Sequence, residues 1–264
     1  RHVGRDQRVS YADYASGGVI DSVAARDAIG DSNRTLLGAE QLSWLKSSLT
    51  DSTARWQLLG QQVLMARQPL PEPVVRALSP ELAGDGSLEA ATAAVLAAVA
   101  AKGKNPDERT DEEQALLDSS LPLNPDAWDG YAFEREEIFN HAAQLQSRLV
   151  VLAGDTHNGW ASQLTTEDVS AIGVEFACAS VSSPGAEGVV GEESATLFAP
   201  LAVTRLDDLR YANLVNRGYT VVSFTPDAVT SEWRYISAID TREYTLNEEL
   251  TTSFTVDRSN LLLG

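Results

Sequence analysis

The residues best suited to chemistry lie in one short loop. Asp155 and His157 stand two positions apart in GDTHNGW (154–160), directly after a continuous apolar run. At the carboxyl end of a strand, a carboxylate and an imidazole can turn toward one point and offer an oxygen and a nitrogen to one or two metal ions. The alternative is a structural turn in which Asp155 caps backbone N–H groups, and these residues alone leave both interpretations open. Gly154 and Gly159 are expected to provide the tight backbone turns.

Five further residues are candidates for contacting a substrate near this loop. Asn158 and Trp160 belong to the loop itself. Gln62 lies at the end of an earlier predicted strand and would reach the same rim if the two strands are neighbours, although a polar residue at a strand end also simply meets water. Trp128 and Tyr131 open the helix that precedes the loop's strand, where an aromatic pair would either wall a pocket or pack as core.

Other catalytic chemistries find no support in the sequence. It contains no G-x-S-x-G, G-x-G-x-x-G or G-K-[ST] motif, which disfavours serine hydrolysis, hydride transfer and P-loop nucleotide hydrolysis. Cys178 falls inside a predicted apolar strand and is expected to be an inert, buried thiol. The other histidines are His2, near the terminus, and His141, in the middle of an amphipathic helix. A multi-histidine zinc site is therefore not expected, and a metal would depend on carboxylates, amides or residues outside this chain.

The overall charge limits the class of partner. Among 264 residues, 20 Lys and Arg stand against 38 Asp and Glu, so the net charge is −18. Such a field repels nucleic-acid backbones and anionic lipid surfaces. A phosphorylated substrate is not excluded, because bound metal ions reverse the potential inside one pocket. One cysteine excludes an intrachain disulfide, and no apolar stretch is long enough to span a membrane.

Hydrophobic periodicity predicts an α/β chain that brings the loop to the edge of a sheet. Residues 1–35 are predicted as an extended loop, and a helix begins near Gly38. The predicted buried strands are Arg55–Met65 and the central Leu149–Ala153. Between them, a helix over 131–147 is expected to place Glu134, Arg135 and Glu136 on its polar face.

The remaining segments form an insertion and a group of later strands. Residues 66–127 are predicted as a helical and loop insertion, with an Ala-rich helix over Ser87–Lys102 and a short helix that Thr110 and Glu113 cap. Alternating patterns after the loop predict further strands. These cover Gly173–Ser180, Gly218–Phe224, Val229–Ile236 and Glu243–Val256.

Six motifs in a fixed order carry a resemblance to a known family. They are RTLLGAEQLSWL (34–45), RWQLLGQQV (55–63), WDGY (128–131), GDTHNGW (154–160), EF through SSPG (175–185) and RGY (217–219). In this order they resemble the carboxyl-terminal half of PhoD-like alkaline phosphatases. The resemblance covers about Arg34 to Tyr235, and the family's variable excursion would fall at 66–127.

The resemblance implies a metallophosphoesterase-like layered α/β sandwich that hydrolyses phosphate monoesters and diesters. It implies an iron and calcium cluster, with zinc or another divalent metal as the less favoured choice, and a periplasmic or secreted location. Asp155 and His157 match the family's metal-binding G-D-x-H motif, so both would be ligands and catalytic residues. The whole chain, 1–264, would then be the carboxyl-terminal part of one catalytic domain.

The same resemblance places the family's other ligands in an amino-terminal half that precedes Arg1. That half is expected to be a partner of this chain, alongside the phosphate ester. The alternative function is an inactive acidic fragment that serves as a binding or structural domain. A weaker idea is that the late strands bind a partner through an exposed sheet edge.

Overall fold

A computed structural model describes residues 8–82 and 88–263. The helices are α1 (Ser22–Ile29), α2 (Ala39–Asp51), α3 (Glu72–Leu78), α4 (Leu88–Lys102), α5 (Asp111–Asp118), α6 (Ala132–Gln144), α7 (Glu187–Val190) and α8 (Glu192–Arg205). The strands are β1 (Ala15–Ser16), β2 (Val19–Ile20), β3 (Gln57–Gly60), β4 (Pro69–Leu70), β5 (Leu121–Pro122), β6 (Leu149–Ala153), β7 (Gly159–Thr165), β8 (Ala171–Ala177), β9 (Leu209–Asn213), β10 (Gly218–Phe224), β11 (Ala228–Ile236) and β12 (Leu246–Asp257).

The described residues fall into two compact units. Unit 1 contains residues 8–39, 67–135 and 204–207. Residues of α1, α3 and the short strands contribute to an apolar cluster that includes Tyr11, whose hydroxyl donates to the Pro122 carbonyl at 2.6 Å. The predicted capping of α5 is confirmed, because Thr110 and Glu113 each accept a hydrogen bond from the other's backbone N–H.

Unit 2 contains residues 40–66, 136–203 and 208–263 and holds both larger sheets. The five-stranded sheet has the order β3-β6-β8-β7-β9, in which β3, β6 and β8 run parallel and β7 runs antiparallel to both its neighbours. Strands β10, β11 and β12 form an antiparallel sheet. Trp233 of β11 packs edge-on against Phe176 of β8, with ring centroids 5.7 Å apart, and its Nε1 donates to Ala177 O. The layered α/β arrangement expected from the sequence is confirmed.

Several predicted elements match closely. Strands β6 and β10 have the predicted limits, and α2 buries Leu45 and Leu49. Helix α4 begins at Leu88, while Ser87 lies outside the described residues. Strand β7, helix α8 and strand β9 were not predicted, since polar and small residues obscure their periodicity.

Part of the predicted loop over 1–35 is wrong. Residues 8–35 contain α1 and the hairpin β1–β2, and Asp21 caps α1 by accepting from the backbone N of Val23 and Ala24 at 3.1 and 3.0 Å. These elements are too short and polar to give a strong periodic signal. Residues 1–7, His2 among them, lie outside the described residues.

The predicted buried strand over 55–65 is also wrong in its length and burial. Only Gln57–Gly60 is a strand, and it lies at the end of the sheet, where Leu58 is 54% exposed. The chain after Gly60 leaves the sheet because the buried Glu175 carboxylate accepts hydrogen bonds from the backbone N of Met65 and Ala66 at 2.7 and 3.0 Å.

The predicted polar face of α6 is buried instead. Glu134, Arg135 and Glu136 are only 3%, 3% and 8% exposed. The Glu134 carboxylate accepts from the backbone N of Leu36 and Leu37 at 2.6 and 3.1 Å. Its neighbours are paired too: Arg135 with Asp129, and Glu136 with the backbone N of Glu167. Periodicity failed here because it does not register the partners that permit this burial, of which those of Glu134 and Glu136 lie 31 or more positions away.

Candidate active site

The loop 154–160 follows the carboxyl end of β6 in the five-stranded sheet, beside the chain that leaves β3. Gln61 N donates to Leu152 O at 3.0 Å, and Gly154 N donates to Gln62 O at 3.3 Å. Because β3 and β6 are parallel neighbours, Gln62 and Asp155 both follow the carboxyl ends of adjacent strands. The condition that the sequence set for Gln62 is met, and both side chains are exposed at this rim.

Asp155 and His157 both adopt left-handed backbone conformations, with φ of 71° and 58°. At Asp155 this conformation belongs to a tight local turn, in which Thr156 N donates to Gly154 O at 2.8 Å. Most residues other than glycine adopt this region at a cost of about 1 kcal/mol or more, although Asp and His adopt it more often than most. The tight turn does begin at Gly154, whose carbonyl accepts its hydrogen bond, but neither Gly154 nor Gly159 is among the described glycines with positive φ. Gly159 is needed for space instead, since a Cβ there would lie 2.5 Å from the Tyr235 hydroxyl oxygen.

A backbone carbonyl fixes the ring of His157. Its Nδ1 lies 2.8 Å from Pro184 O. Because a carbonyl oxygen only accepts, Nδ1 must carry a proton, and in the neutral ring the lone pair is then on Nε2. Histidines that bind metals usually donate their second ring nitrogen in this way, which fixes tautomer and orientation. Nε2 is therefore the atom of His157 suited to coordinating a metal.

The backbone of His157 is held by a buried ion pair. Arg217 is 4% exposed, and its Nη1 donates to His157 O at 3.0 Å. Its Nη2 pairs with Glu187, whose carboxylate accepts from the backbone N of Gly185. Burial raises the pKa of Glu187, but hydrogen bonds from Arg217 and Gly185 outweigh it and hold that pKa below its ordinary value.

Gly185 is required by close packing in the same place. A Cβ at this position would lie 2.4 Å from Asn158 Nδ2, 2.9 Å from Arg217 Nη2 and 3.0 Å from His157 O. No side chain fits without displacing these groups. The SSPG turn is thus pressed against the loop that carries Asp155 and His157.

Asn158 and Trp160 form hydrogen bonds within unit 2. Asn158 is 3% exposed and donates from Nδ2 to Leu214 O at 3.1 Å. Trp160 is 5% exposed, and its Nε1 donates to Thr156 Oγ1 at 2.9 Å. Both bonds stabilise the loop, and the substrate-binding role of the two residues stays a prediction.

Trp128 and Tyr131 lie in unit 1, whereas the other predicted site residues lie in unit 2. Both aromatic side chains are 1% exposed. The guanidinium carbon of Arg34 lies 4.5 Å from the ring centroid of Tyr131, a cation–π contact. Their predicted role as walls of a substrate pocket stays a prediction.

Two phenol groups lie beneath the loop. The Tyr211 and Tyr235 hydroxyls are 2.6 Å apart. Burial raises the pKa of both tyrosines, most strongly that of Tyr235. Since a Cβ at Gly159 would collide with Tyr235, this pair forms the floor on which the start of β7 rests.

The remaining histidine and the cysteine take no part in this arrangement. His141 Nε2 lies 3.1 Å from Thr50 Oγ1 and 3.0 Å from Lys46 O, as expected for a structural residue. Cys178 follows β8 and is half-buried, so its predicted full burial inside a strand is wrong. In residues 8–82 and 88–263, no three His, Cys, Asp or Glu side chains come close enough to hold a metal ion.

Comparison with known proteins identifies the family. The family model described as PhoD-like phosphatase matches residues 1–233. The chain belongs to the PhoD-like phosphatase family. Alkaline phosphatase D of Bacillus subtilis (strain 168) is 27% identical over 195 residues, which cover 67% of this chain and 26% of that protein.

A solved structure titled "Structure of PhoD" has the same fold, with a TM-score of 0.58 at 21% identity. It is matched over 97% of this chain and 39% of its own chain. The PhoD-like chain therefore spans well under half the length of these relatives. No helix within the described ranges is both long and apolar enough to cross a membrane.

Sequence reasoning missed the residues that hold the loop in place. Pro184, Leu214 and Arg217 contact it from 27 or more positions away, and Glu187 pairs with Arg217. The signal was present in the SSPG and RGY motifs, which were recognised as family features without a physical role. Only the fold joins them to His157.

Proposed function

We propose that the protein containing this PhoD-like chain hydrolyses phosphate esters with the help of bound metal ions. The observation that carries this proposal is the geometry of His157, whose left-handed backbone and carbonyl-bound Nδ1 leave Nε2 as the ring nitrogen suited to binding a metal. Asp155 supports it, because a tight turn places its exposed carboxylate at the same rim.

The donor chemistry of the loop fits a metal. Asp155 would supply an oxygen and His157 a nitrogen, a mixed set that suits iron and other divalent metals. Two ligands do not complete a site, so further ligands would come from outside the described residues, as expected of a chain that spans 26% of alkaline phosphatase D. Iron and calcium are the metals we propose, since the family resemblance implies them. Bound cations would neutralise phosphoryl oxygens and lower the pKa of an attacking water.

The chain's own groups would position the reaction. His157 Nδ1 donates a hydrogen bond to Pro184 O, so in the neutral ring Nε2 would be available as a metal ligand. Gln62 lies on the same rim and would donate its amide hydrogens to a substrate oxygen. Phosphate monoesters and diesters are the proposed substrates, and a periplasmic or secreted location is proposed with them.

The experiment compares hydrolysis of p-nitrophenyl phosphate and bis-p-nitrophenyl phosphate with the metal content of the purified protein. Asp155→Ala and His157→Ala are each expected to lower kcat/KM about 1000-fold, a loss of roughly 4 kcal/mol of transition-state stabilisation, and to lose bound iron. Gln146→Ala, at an exposed residue with a similar backbone, is the matched control. Full activity in both loop variants would sink the proposal and favour the alternative of an inactive acidic binding domain.

A further inference from the structure

One guanidinium links three separate segments of unit 2. Arg217 Nη1 donates to His157 O and to Asn216 O, each at 3.0 Å. Its Nη2 pairs with Glu187 of α7. The loop after β6, the SSPG turn and the segment before β10 are therefore joined at a single side chain.

The burial of Arg217 argues for a role beyond stability. Its side chain is only 3% exposed and that of Glu187 is 20% exposed. By hydrogen-bond geometry, neither Nε nor Nη2 of Arg217 has a partner, so Nη2 contacts Glu187 as an ion pair. A buried ion pair repays its own desolvation poorly, and an apolar residue of similar size often serves stability as well. What an apolar residue does not provide is a rigid fork with fixed donor directions.

Both the backbone and the ring of His157 depend on the Arg217 guanidinium. Its carbonyl is held directly by Arg217. Its ring is held through Glu187, which fixes the backbone N of Gly185, while the preceding Pro184 O accepts from Nδ1. Backbone and imidazole of one strained residue are thus controlled by one ion pair.

We propose that Arg217, acting through Glu187, is a positioning residue that locks His157 into the tautomer with the proton on Nδ1 and aims Nε2 at the rim. The inference rests on the proposed function for the use of Nε2, but the locking itself is measurable without any activity. A role confined to stability would leave the tautomer unchanged in variants that fold.

The experiment records long-range ¹H–¹⁵N correlations of the histidine rings in the metal-free protein. The chain has three histidines, so loss of one signal set in His157→Gln assigns that residue. In the wild type, the His157 signals should show Nδ1 protonated and Nε2 unprotonated. In Arg217→Met and Glu187→Gln, the two tautomers should exchange, while Arg217→Lys should recover only part of the preference.

Arg242→Met is the matched control, because Arg242 is exposed in the same unit. It should leave the His157 signals unchanged. If Arg217→Met does not fold, Glu187→Gln carries the test, since its partner stays and its shape is conserved. An unchanged tautomer in the folded variants would overturn the proposal.

Titration with Co²⁺ separates this inference from the proposed function. Loss of outer contacts to a metal-binding histidine typically weakens metal affinity 10–100-fold. We expect that range, about 10–100-fold, for Arg217→Met and Glu187→Gln, and no change for Arg242→Met. Should the tautomer be released while Co²⁺ affinity is identical even in His157→Gln, the positioning role would stand and the ligand role of His157 would fall.

Discussion

Strand β6 has a left-handed, non-glycine backbone at each end, and the two ends differ in their cause. At its start, Gln146 has a φ of 52°. There the backbone N of Gln146 and Ser147 donate to the carbonyls of Ala143 and Ala142, which is the pattern of a helix C-cap that normally takes glycine. A local rule explains this strain completely.

At the far end of β6, Asp155 is the central residue of a tight local turn, in which Thr156 N donates to Gly154 O at 2.8 Å. The conformation of His157 instead coincides with contacts from distant segments: Pro184 on its ring and Arg217 on its carbonyl. Strain that the surrounding structure imposes, rather than a cap, is typical of functional sites. The comparison teaches that the origin of a left-handed residue is more informative than its occurrence.

The largest expected effect tests whether the far end is truly held by packing. Gly185→Ala should lower the free energy of unfolding by about 2 kcal/mol or more, because the new Cβ collides with Asn158 and Arg217. Chemical denaturation measures this. Gly60→Ala is the control, since a Cβ there meets nothing within 4 Å; equal stability of the two variants would mean that the loop yields without cost.

A second effect concerns the phenol floor beneath the loop. The unfolded pKa of tyrosine is about 10 and burial raises it in Tyr211 and Tyr235, so their contribution to stability is complete below pH 10 and is lost as pH rises further. The loss should approach about 1.4 kcal/mol per pH unit for each tyrosine. Denaturation midpoints between pH 9 and 11 measure it, and the Tyr211→Phe/Tyr235→Phe double variant should flatten the dependence. A wild-type slope equal to that of the double variant would contradict the burial.

The smallest effect compares the two strained ends directly. At position 146 and at position 155, the glycine variant should have a free energy of unfolding about 1 kcal/mol higher than the alanine variant, because neither keeps the native side chain and only glycine adopts positive φ freely. Thermal unfolding of Gln146→Gly against Gln146→Ala, and of Asp155→Gly against Asp155→Ala, gives the two differences. Gln146→Gly should also be more stable than the wild type and keep activity, whereas Asp155→Gly should be inactive. No gain for glycine at 155 would remove the basis of the comparison.

The sequence predicts what depends on neighbours along the chain. Strand β6 was predicted to the residue because five apolar positions end at a glycine, and the α5 cap was predicted from a spacing of three. The burial of Glu134 was missed because its partners, Leu36 and Leu37, lie 98 and 97 positions away. The location of Asp155 and His157 could be predicted, but the conformation of His157 could not, since it coincides with contacts that only the folded chain creates.

Trp160 is a fluorescent residue bonded to the loop that carries the two proposed metal ligands. Trp160 is one of five tryptophans, and its indole N–H is bonded to Thr156, between Asp155 and His157. Indole fluorescence is quenched over short distances by iron and other transition metals with partly filled d shells. If the proposed metal binds at the rim, it should therefore quench the emission of Trp160, which can be measured without a label and without turnover.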